Sequence, residues 1–225
     1  MRAVIVGNGE PPSRELFAAL MGDTKTVLTK TILICADGGA NTAAAYGYIP
    51  ALVIGDLDSL SGEARASLPA DRQVSVVDQD ATDLQKVLHQ AVGMGITEAD
   101  LIGFTGRRTD HTLWNLSQLK TFADQLRLRL LDDYCEIRLL GPGGIRFDAD
   151  DGQKLSLCPL AGPVSGIKTQ GLKWELHGDT LGPDRAGISN EVRASPVEIR
   201  IGAGDLLLVI QRDSGSGTIK VQSPT

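Results

Sequence analysis

Apolar and polar positions follow two different rhythms along this chain. Up to about residue 131, short β-branched runs recur between segments of helical period. The runs "AVIVG" (3–7), "TILICAD" (31–37), "ALVIGD" (51–56), "QVSVV" (73–77), "ADLIGF" (99–104) and "LRLRLLDD" (126–133) read as strands. Several are apolar throughout, the pattern of parallel strands covered on both faces. Between them, "TDLQKVLHQAVGMG" sets Leu84, Val87, Leu88 and Ala91 at i, i+3, i+4 and i+7, with Gly93 placed to end the helix. "DHTLWNLSQLKTFADQL" carries a similar stripe of Leu113, Leu116, Leu119 and Ala123. Alternating β and α elements predict an open, mostly parallel α/β sheet.

After about residue 134 the helical period stops. "CEIRLLGPGGIRFDA" (135–149) reads as two strands around a hairpin turn at Gly141–Gly144. "KLSLCPLAG", "GIKTQGLKWEL", "VEIRI" and "DLLLVIQ" follow, punctuated by Gly, Pro, Asn and Asp. This predicts an antiparallel β-sandwich or small barrel. The change of rhythm falls between Asp132 and Glu136, so the expected domains are 1–133 and 134–225. The polar tail "DSGSGTIKVQSPT" is expected to be partly disordered.

Composition narrows the chemistry. The 225 residues suit one large domain or two small ones, and 42% are hydrophobic, enough for a proper core. Acids outnumber bases, 28 to 22, for a net charge of −6. No segment concentrates Lys or Arg, which argues against nucleic acid or an anionic membrane as partner. Cys35, Cys135 and Cys158 form no CxxC pair and read as reduced structural residues. The N-terminal apolar run is too short for a signal peptide, and no 18-residue apolar run occurs, so the expected location is cytoplasmic.

In α/β sheets, ligands bind beyond the carboxyl ends of the strands. Four consecutive strand ends here collect acids and small residues. Asp37, two glycines and Asn41 follow the second; Asp56 and Asp58 the third; Asp78, Gln79, Asp80, Thr82, Asp83 and Lys86 the fourth; Gly106, Arg107, Arg108, Asp110, His111 and Asn115 the fifth. Each loop alone has a plain explanation. Asp and Gly form turns, Thr82 with Gln85 fits a capping box, and Asp83 with Lys86 fits a helix-surface ion pair. Turn chemistry does not explain why one edge collects all the acids.

Asp56 and Asp58 are two apart, so in an extended segment both side chains point the same way. Such a pair is tolerable with a hard cation between the carboxylates. Mg²⁺ fits, because the candidate ligands are all oxygens and no His or Cys sits beside them. Asp83, at a helix start, is a natural third ligand. Arg108 and Lys86 are placed to hold phosphate oxygens, and the helix N-termini near 82 and 110 add oriented N–H groups. The composite is a magnesium site carrying a nucleoside triphosphate. Other motifs fail: "GNGEPP" (7–12) has Pro12 where a dinucleotide fingerprint needs Gly, and no P-loop occurs. His89, mid-helix, and His177, in a turn, read as surface residues, whereas His111 sits inside the dense "RRTDH" stretch.

With these residues in view, the sequence resembles the thiamine pyrophosphokinase family over almost its whole length. The resemblance rests on "ADGGAN" (36–41), "GDLDS" (55–59), "DQDATDLQKVL" (78–88) and "GFTGRRTDHTLWNL" (103–116) in that order. In the second half it rests on "GPVSGIKTQGLKWEL" (162–176), "GISNE" (187–191) and "GDLLLVI" (204–210). One departure is Arg107, where the family often has a second Gly. The resemblance implies an α/β nucleotide domain, a β-sandwich domain, and a homodimer with sites shared between subunits. It implies transfer of the terminal diphosphate of ATP to the hydroxyethyl oxygen of thiamine, releasing AMP. On the matching positions, Asp56, Asp58 and Asp83 would hold Mg²⁺, with Arg108 acting beside them. Asp37, Gly38, Asn41, Thr82, Lys86, Arg108, Asp110, His111 and Asn115 would line the ATP site. Gln79, Trp174, Ser189 and Asn190 would take thiamine. An indole suits a cationic thiazolium by stacking and cation–π attraction, although Trp174 is also readable as a core or interface aromatic.

Two alternatives stand beside this reading. "ALVIGDLDSL" also imitates the phospho-aspartate strand of haloacid-dehalogenase-type phosphatases, with Asp56 as nucleophile and Asp58 as acid/base. Against it, Leu60 replaces the usual Thr or Val, and the motif ends a third strand instead of opening the chain. The other alternative is a nucleotide- or thiamine-binding protein without turnover.

Overall fold

Strand β1 (Arg2–Val6) buries Ala3, Val4, Ile5 and Val6 completely, so both of its faces are covered. In the computed structural model, residues 1–22, 31–78, 80–212 and 221–222 are described. The chain divides into two compact units, Met1–Asp133 and Tyr134–Thr225.

In the first unit, β1 lies between two parallel neighbours, β2 (Thr31–Ala36) and β5 (Glu98–Ile102). Beyond β2 come β3 (Leu52–Gly55) and β4 (Gln73–Ser75); beyond β5 comes β6 (Arg127–Leu131), all parallel. The order β4-β3-β2-β1-β5-β6 makes the chain leave β1 toward one edge and return on its other side. The strand order therefore reverses at β1 and β5, where open α/β sheets bind ligands.

One sheet face packs Val4, Val6, Leu33, Cys35 and Val53 against Leu16, Phe17 and Leu20 of α1 (Arg14–Met21), Ala40 and Ala43 of α2 (Gly39–Ala45), and Ala64 of α3 (Gly62–Ser67). These three helices are too short for apolar periodicity to announce them. Helix α4 (Asp83–Gly93) packs on β2 and β3 and buries Leu84, Val87, Leu88 and Ala91, the stripe its period predicts. Helix α5 (Thr109–Thr121) departs from expectation. It buries Asn115, Gln118 and Leu119, while Leu113 is 64% exposed and Ala123 is also exposed. The Asn115 amide donates to the Phe104 carbonyl at 2.9 Å, so a buried polar contact fixes the rotation of α5 that the leucine stripe misassigned. The fourth strand also stops early, at Ser75, and Val77 is 82% exposed.

The second unit is antiparallel. β7 (Cys135–Leu140), β14 (Leu206–Gln211), β9 (Lys154–Pro159) and β12 (Gly187–Glu191) pair in that order. A second sheet runs β11 (His177–Leu181), β10 (Val164–Gln170), β13 (Val197–Ile201), β8 (Gly143–Phe147) and β15 (Val221–Gln222). One apolar cluster draws on both, with Leu155, Leu157, Leu206, Leu208 and Ile210 from the first sheet and Phe147, Ile167, Val197 and Ile199 from the second. The Gly141–Gly144 segment is not a hairpin turn. β7 pairs with β14 and β8 with β13, so the segment carries the chain from one sheet to the other. Local turn residues are the same in both cases; only the long-range partners distinguish them. His177 opens β11 instead of lying in a turn. Cys35, Cys135 and Cys158 form no disulfide. No helix among the described residues is long and apolar enough to cross a membrane. The polar tail lies outside the described residues except for Val221 and Gln222.

Candidate active site

The loops that leave β1 and β5 are tied to each other. Gly7 N–H donates to the Ile102 carbonyl at 2.8 Å, Gly9 N–H to Gly103 at 2.6 Å, and Glu10 N–H to Thr105 at 2.8 Å. Beside them opens a cavity of about 450 Å³ lined by Asn8, Asp37, Thr82, Asp83, Arg107, Arg108, His111 and Asn115 among others. It sits at the reversal of strand order, within the size range of small-molecule sites.

Three carboxylates converge at this edge. Oxygens of Asp37, Asp56 and Asp58 lie within 4.8 Å of one another. Asp37 follows β2, its N–H donating to the Ile54 carbonyl at 2.8 Å; it is 3% exposed and has a φ of 41°. Its Oδ1 is buried with no hydrogen-bond partner among the described residues. Asp56 and Asp58 are exposed and do not come together by strand alternation. β3 ends at Gly55, Leu57 turns back with φ of 65°, and Asp58 N–H donates to Asp56 Oδ1 at 3.3 Å. A turn, not a pleat, brings their side chains to one side. Asp83 stands near enough for the charges of Asp37 and Asp56 to act on it. Burial pushes its carboxyl above the usual aspartate range, Lys86 pulls it back, and those two aspartates raise it further. Its Oδ1 accepts from Lys86 Nζ at 3.3 Å, the ion pair the spacing allows.

A hard divalent cation fits this donor set. All the groups are carboxylate oxygens, one buried oxygen has nothing to accept from, and close like charges need a counterion. Asp37 belongs to the cluster as fully as Asp56 and Asp58 do. The resemblance implied Asp37 in the ATP site; adjacent parallel strands β2 and β3 bring it to Asp56, nineteen residues away in sequence.

The cations and amides sort into two groups. Arg108 is exposed and paired with Asp110 through two hydrogen bonds, Nε to Oδ1 at 3.1 Å and Nη2 to Oδ2 at 2.5 Å. That pairing pulls the Asp110 carboxyl down to about 2. Asp110 thus holds Arg108 and does not line the cavity, whereas Arg108 and His111 do. The Lys86 side chain is only 8% exposed and also lies off the cavity wall. Thr82 lines the cavity, but its hydroxyl caps α4: Gln85 N–H donates to Thr82 Oγ1 at 3.4 Å and Thr82 N–H to Gln85 Oε1 at 3.0 Å.

Asn41 does not line the cavity. Its Nδ2 donates to the Ser59 carbonyl at 2.8 Å and its Oδ1 accepts from Ser61 N–H at 2.9 Å, which braces the loop carrying Asp56 and Asp58. Gly38 lies beneath Asn8, whose amide nitrogen would stand 2.4 Å from a Cβ there. A side chain at position 38 would have to push the Asn8 amide aside. Asn8 and Arg107 also line the wall, and Asn8 is a residue that the sequence did not single out. The signal was available, since "GNGEPP" directly follows β1, the strand beside the reversal. Arg107 holds a φ of 52°, the left-handed region where glycine is at ease, and its Nη1 donates to the Asn8 carbonyl at 3.3 Å.

In the second unit, Trp174 is 55% exposed and so is not a core aromatic; Lys173 Nζ lies 4.6 Å from its ring centroid. Asn190 is 5% exposed, and its Nδ2 donates to the Trp174 carbonyl at 2.8 Å. Ser189 is exposed at φ of 57°, its N–H donating to Ser156 Oγ at 3.0 Å. It lines a separate hollow with Tyr134, Lys154 and Ser156. Gln79, expected beside thiamine, lies outside the described residues.

The pattern for "Thiamin pyrophosphokinase, catalytic domain" matches residues 24–130, and that for "Thiamin pyrophosphokinase, vitamin B1 binding domain" matches 144–206. Thiamine pyrophosphokinase 1 of Oryza sativa subsp. japonica is 30% identical over 207 residues, covering 80% of this chain and 75% of that protein. Thiamine pyrophosphokinase of Bacillus subtilis (strain 168) is 29% identical over 191 residues, 81% of this chain and 88% of the relative. The crystal structure of a Bacillus subtilis thiamine pyrophosphokinase superposes with a TM-score of 0.81 at 26% identity, over 95% of this chain and all of that one. The Candida albicans thiamin pyrophosphokinase shares the fold at 16% identity, with a TM-score of 0.77 over 94% of this chain and 90% of its own. All of these relatives bear the thiamine pyrophosphokinase name, and with both halves matched in order the chain belongs to the thiamine pyrophosphokinase family.

Proposed function

We propose that this chain moves the terminal diphosphate of ATP onto the hydroxyethyl oxygen of thiamine. The alcohol oxygen attacks the β-phosphorus, the bond from that phosphorus to the oxygen bridging the α-phosphate breaks, and AMP leaves as the alcohol gives up its proton. Such a step needs alignment and charge neutralisation more than a strong base. The observation that carries the reading is the meeting of Asp37, Asp56 and Asp58 within 4.8 Å, with Asp37 in the wall of a cavity of about 450 Å³.

Asp56, Asp58 and Asp83, joined by Asp37, are the residues that would hold Mg²⁺, which when bound offsets triphosphate charge. Arg108 reaches phosphate oxygens once it exchanges Asp110 for them, and Lys86 keeps Asp83 oriented. Asp83 accepts a hydrogen bond from the thiamine hydroxyl and aims it. His111, Thr82 and Asn8 shape the nucleotide side of the cavity. Residues 1–133 form the ATP/Mg catalytic domain in this reading. Residues 134–225 form the thiamine-binding domain, a sandwich, supported by the apolar cluster that draws on both antiparallel sheets. Trp174 and Ser189 contact thiamine, and Gln79 belongs to the same proposal. A cytoplasmic homodimer with sites shared between subunits completes the reading.

The test is an incubation with ATP, Mg²⁺ and thiamine, followed by chromatography of the nucleotides and thiamine species. AMP and thiamine diphosphate should appear in equal amounts and only together. Release of ADP, or AMP formation that ignores thiamine, would overturn the assignment.

A further inference from the structure

Strand β12 is bulged between Gly187 and Asn190, where Ser189 takes a φ of 57°. Ser189 is exposed; Asn190 is buried beneath the turn that carries Trp174. Its Oδ1 accepts from the Trp174 N–H at 3.2 Å and from the Glu191 N–H at 2.8 Å. Its Nδ2 donates to the Trp174 carbonyl at 2.8 Å. One side chain, sixteen residues further along, thus binds both backbone polar groups of Trp174. Between β10 and β11 a single bridge pairs Leu172 with Val192, two residues before Trp174. Lys173 N–H donates to the Glu191 carbonyl at 2.8 Å, which ties the neighbouring residue to the same strand. The indole is more than half exposed, and among the described residues its ring contact is with the Lys173 ammonium. Its place is therefore set by its backbone, whose N–H and carbonyl at Trp174 are both held by Asn190.

We infer that Asn190 is a positioning residue for thiamine recognition: its amide clamps the Trp174 backbone and so presents the indole, without touching thiamine. This rests on the proposed role of Trp174. Both lone-pair positions of Oδ1 are occupied and the side chain is buried, which leaves little for a ligand to meet.

The test is a double-mutant cycle in steady-state kinetics with Asn190→Ala, Trp174→Ala and the two combined. Asn190→Ala should raise the thiamine KM about tenfold while kcat and the ATP KM stay within about twofold. The combined variant should match Trp174→Ala alone. A combined effect equal to the product of the single effects would mean that Asn190 meets thiamine itself, and would overturn the inference. So would an unchanged thiamine KM in Asn190→Ala. If Asn190→Ala does not fold, Asn190→Asp carries the cycle: it keeps the accepting oxygen, loses the donated bond, and should give an intermediate KM. Should Trp174→Ala leave thiamine KM unchanged, the role of the indole fails separately. The clamp is then judged by the emission anisotropy of Trp174 in a Trp114→Phe background. A fall in Asn190→Ala upholds it, and an unchanged value refutes it.

Discussion

Removing one charge from the aspartate cluster should stabilise the metal-free protein while removing its response to magnesium. In Asp37→Asn, the buried carboxylate loses its repulsion with two neighbours no more than 4.8 Å away. Each pair repels by about 1 kcal/mol if screened as in water and by about 3.5 kcal/mol at an effective dielectric of 20. Asp56 and Asp58 are exposed, so the lower figure governs, and the two pairs sum to about 2 kcal/mol. For a chain of this size that corresponds to a rise of about 4–8 °C in Tm. Magnesium at one hundred times its Kd should add about 2.7 kcal/mol to the parent and much less to the variant. Each unit carries one tryptophan, Trp114 in the first and Trp174 in the second. The melt of the first unit is therefore followed by Trp114 emission in a Trp174→Phe background, with EDTA or with Mg²⁺. If Asp37→Asn melted lower than its parent in EDTA, the carboxylate would be making a favourable contact and not awaiting a counterion. Undiminished stabilisation by magnesium would equally refute the assignment.

Other outcomes follow from single contacts. Asp83→Asn should lower turnover at least about a hundredfold while the protein still folds, since it removes charge and acceptor strength but not shape; full activity would remove Asp83 from the site. Arg107→Gly should raise stability by about 0.5–1 kcal/mol, because it relieves a left-handed φ, as thermal melts would show. Gly39→Ala should cost at least about 3 kcal/mol or prevent folding, because the new Cβ would stand 2.1 Å from the carbonyl oxygen of Val6 in the central strand. Glu191 is held below the usual glutamate range, first by the hydrogen bond from Lys154 and then by the charges of Arg193, Lys154 and Lys173. A carboxyl depressed in the folded state contributes stability above its unfolded value and loses it as the pH falls through the folded one. Melts of the second unit, read by Trp174, should therefore weaken as the pH drops below about 4.5, and Glu191→Gln should flatten that limb.

The periodic elements were legible from sequence because their cause is local. Apolar runs such as Ala3–Val6 mark strands covered on two faces, and the Leu84, Val87, Leu88 and Ala91 spacing fixes the buried side of α4. The acidic edge was legible too, because loops after successive parallel strands must emerge on one side of a sheet. What sequence spacing cannot carry is the partner of a polar side chain. Asn41, Asn115 and Asn190 all read as ligand contacts from sequence; in the fold each also hydrogen-bonds backbone groups 11 to 20 residues away, contacts that no local pattern announces. Asp37 joins Asp56 and Asp58 only because β2 and β3 are neighbours, and Gly141–Gly144 links two sheets only because β7 and β8 have other partners. A short polar side chain has the same local preferences whether it faces a nucleotide or a distant carbonyl. Its job is decided when the chain folds and brings one of them within about 3 Å.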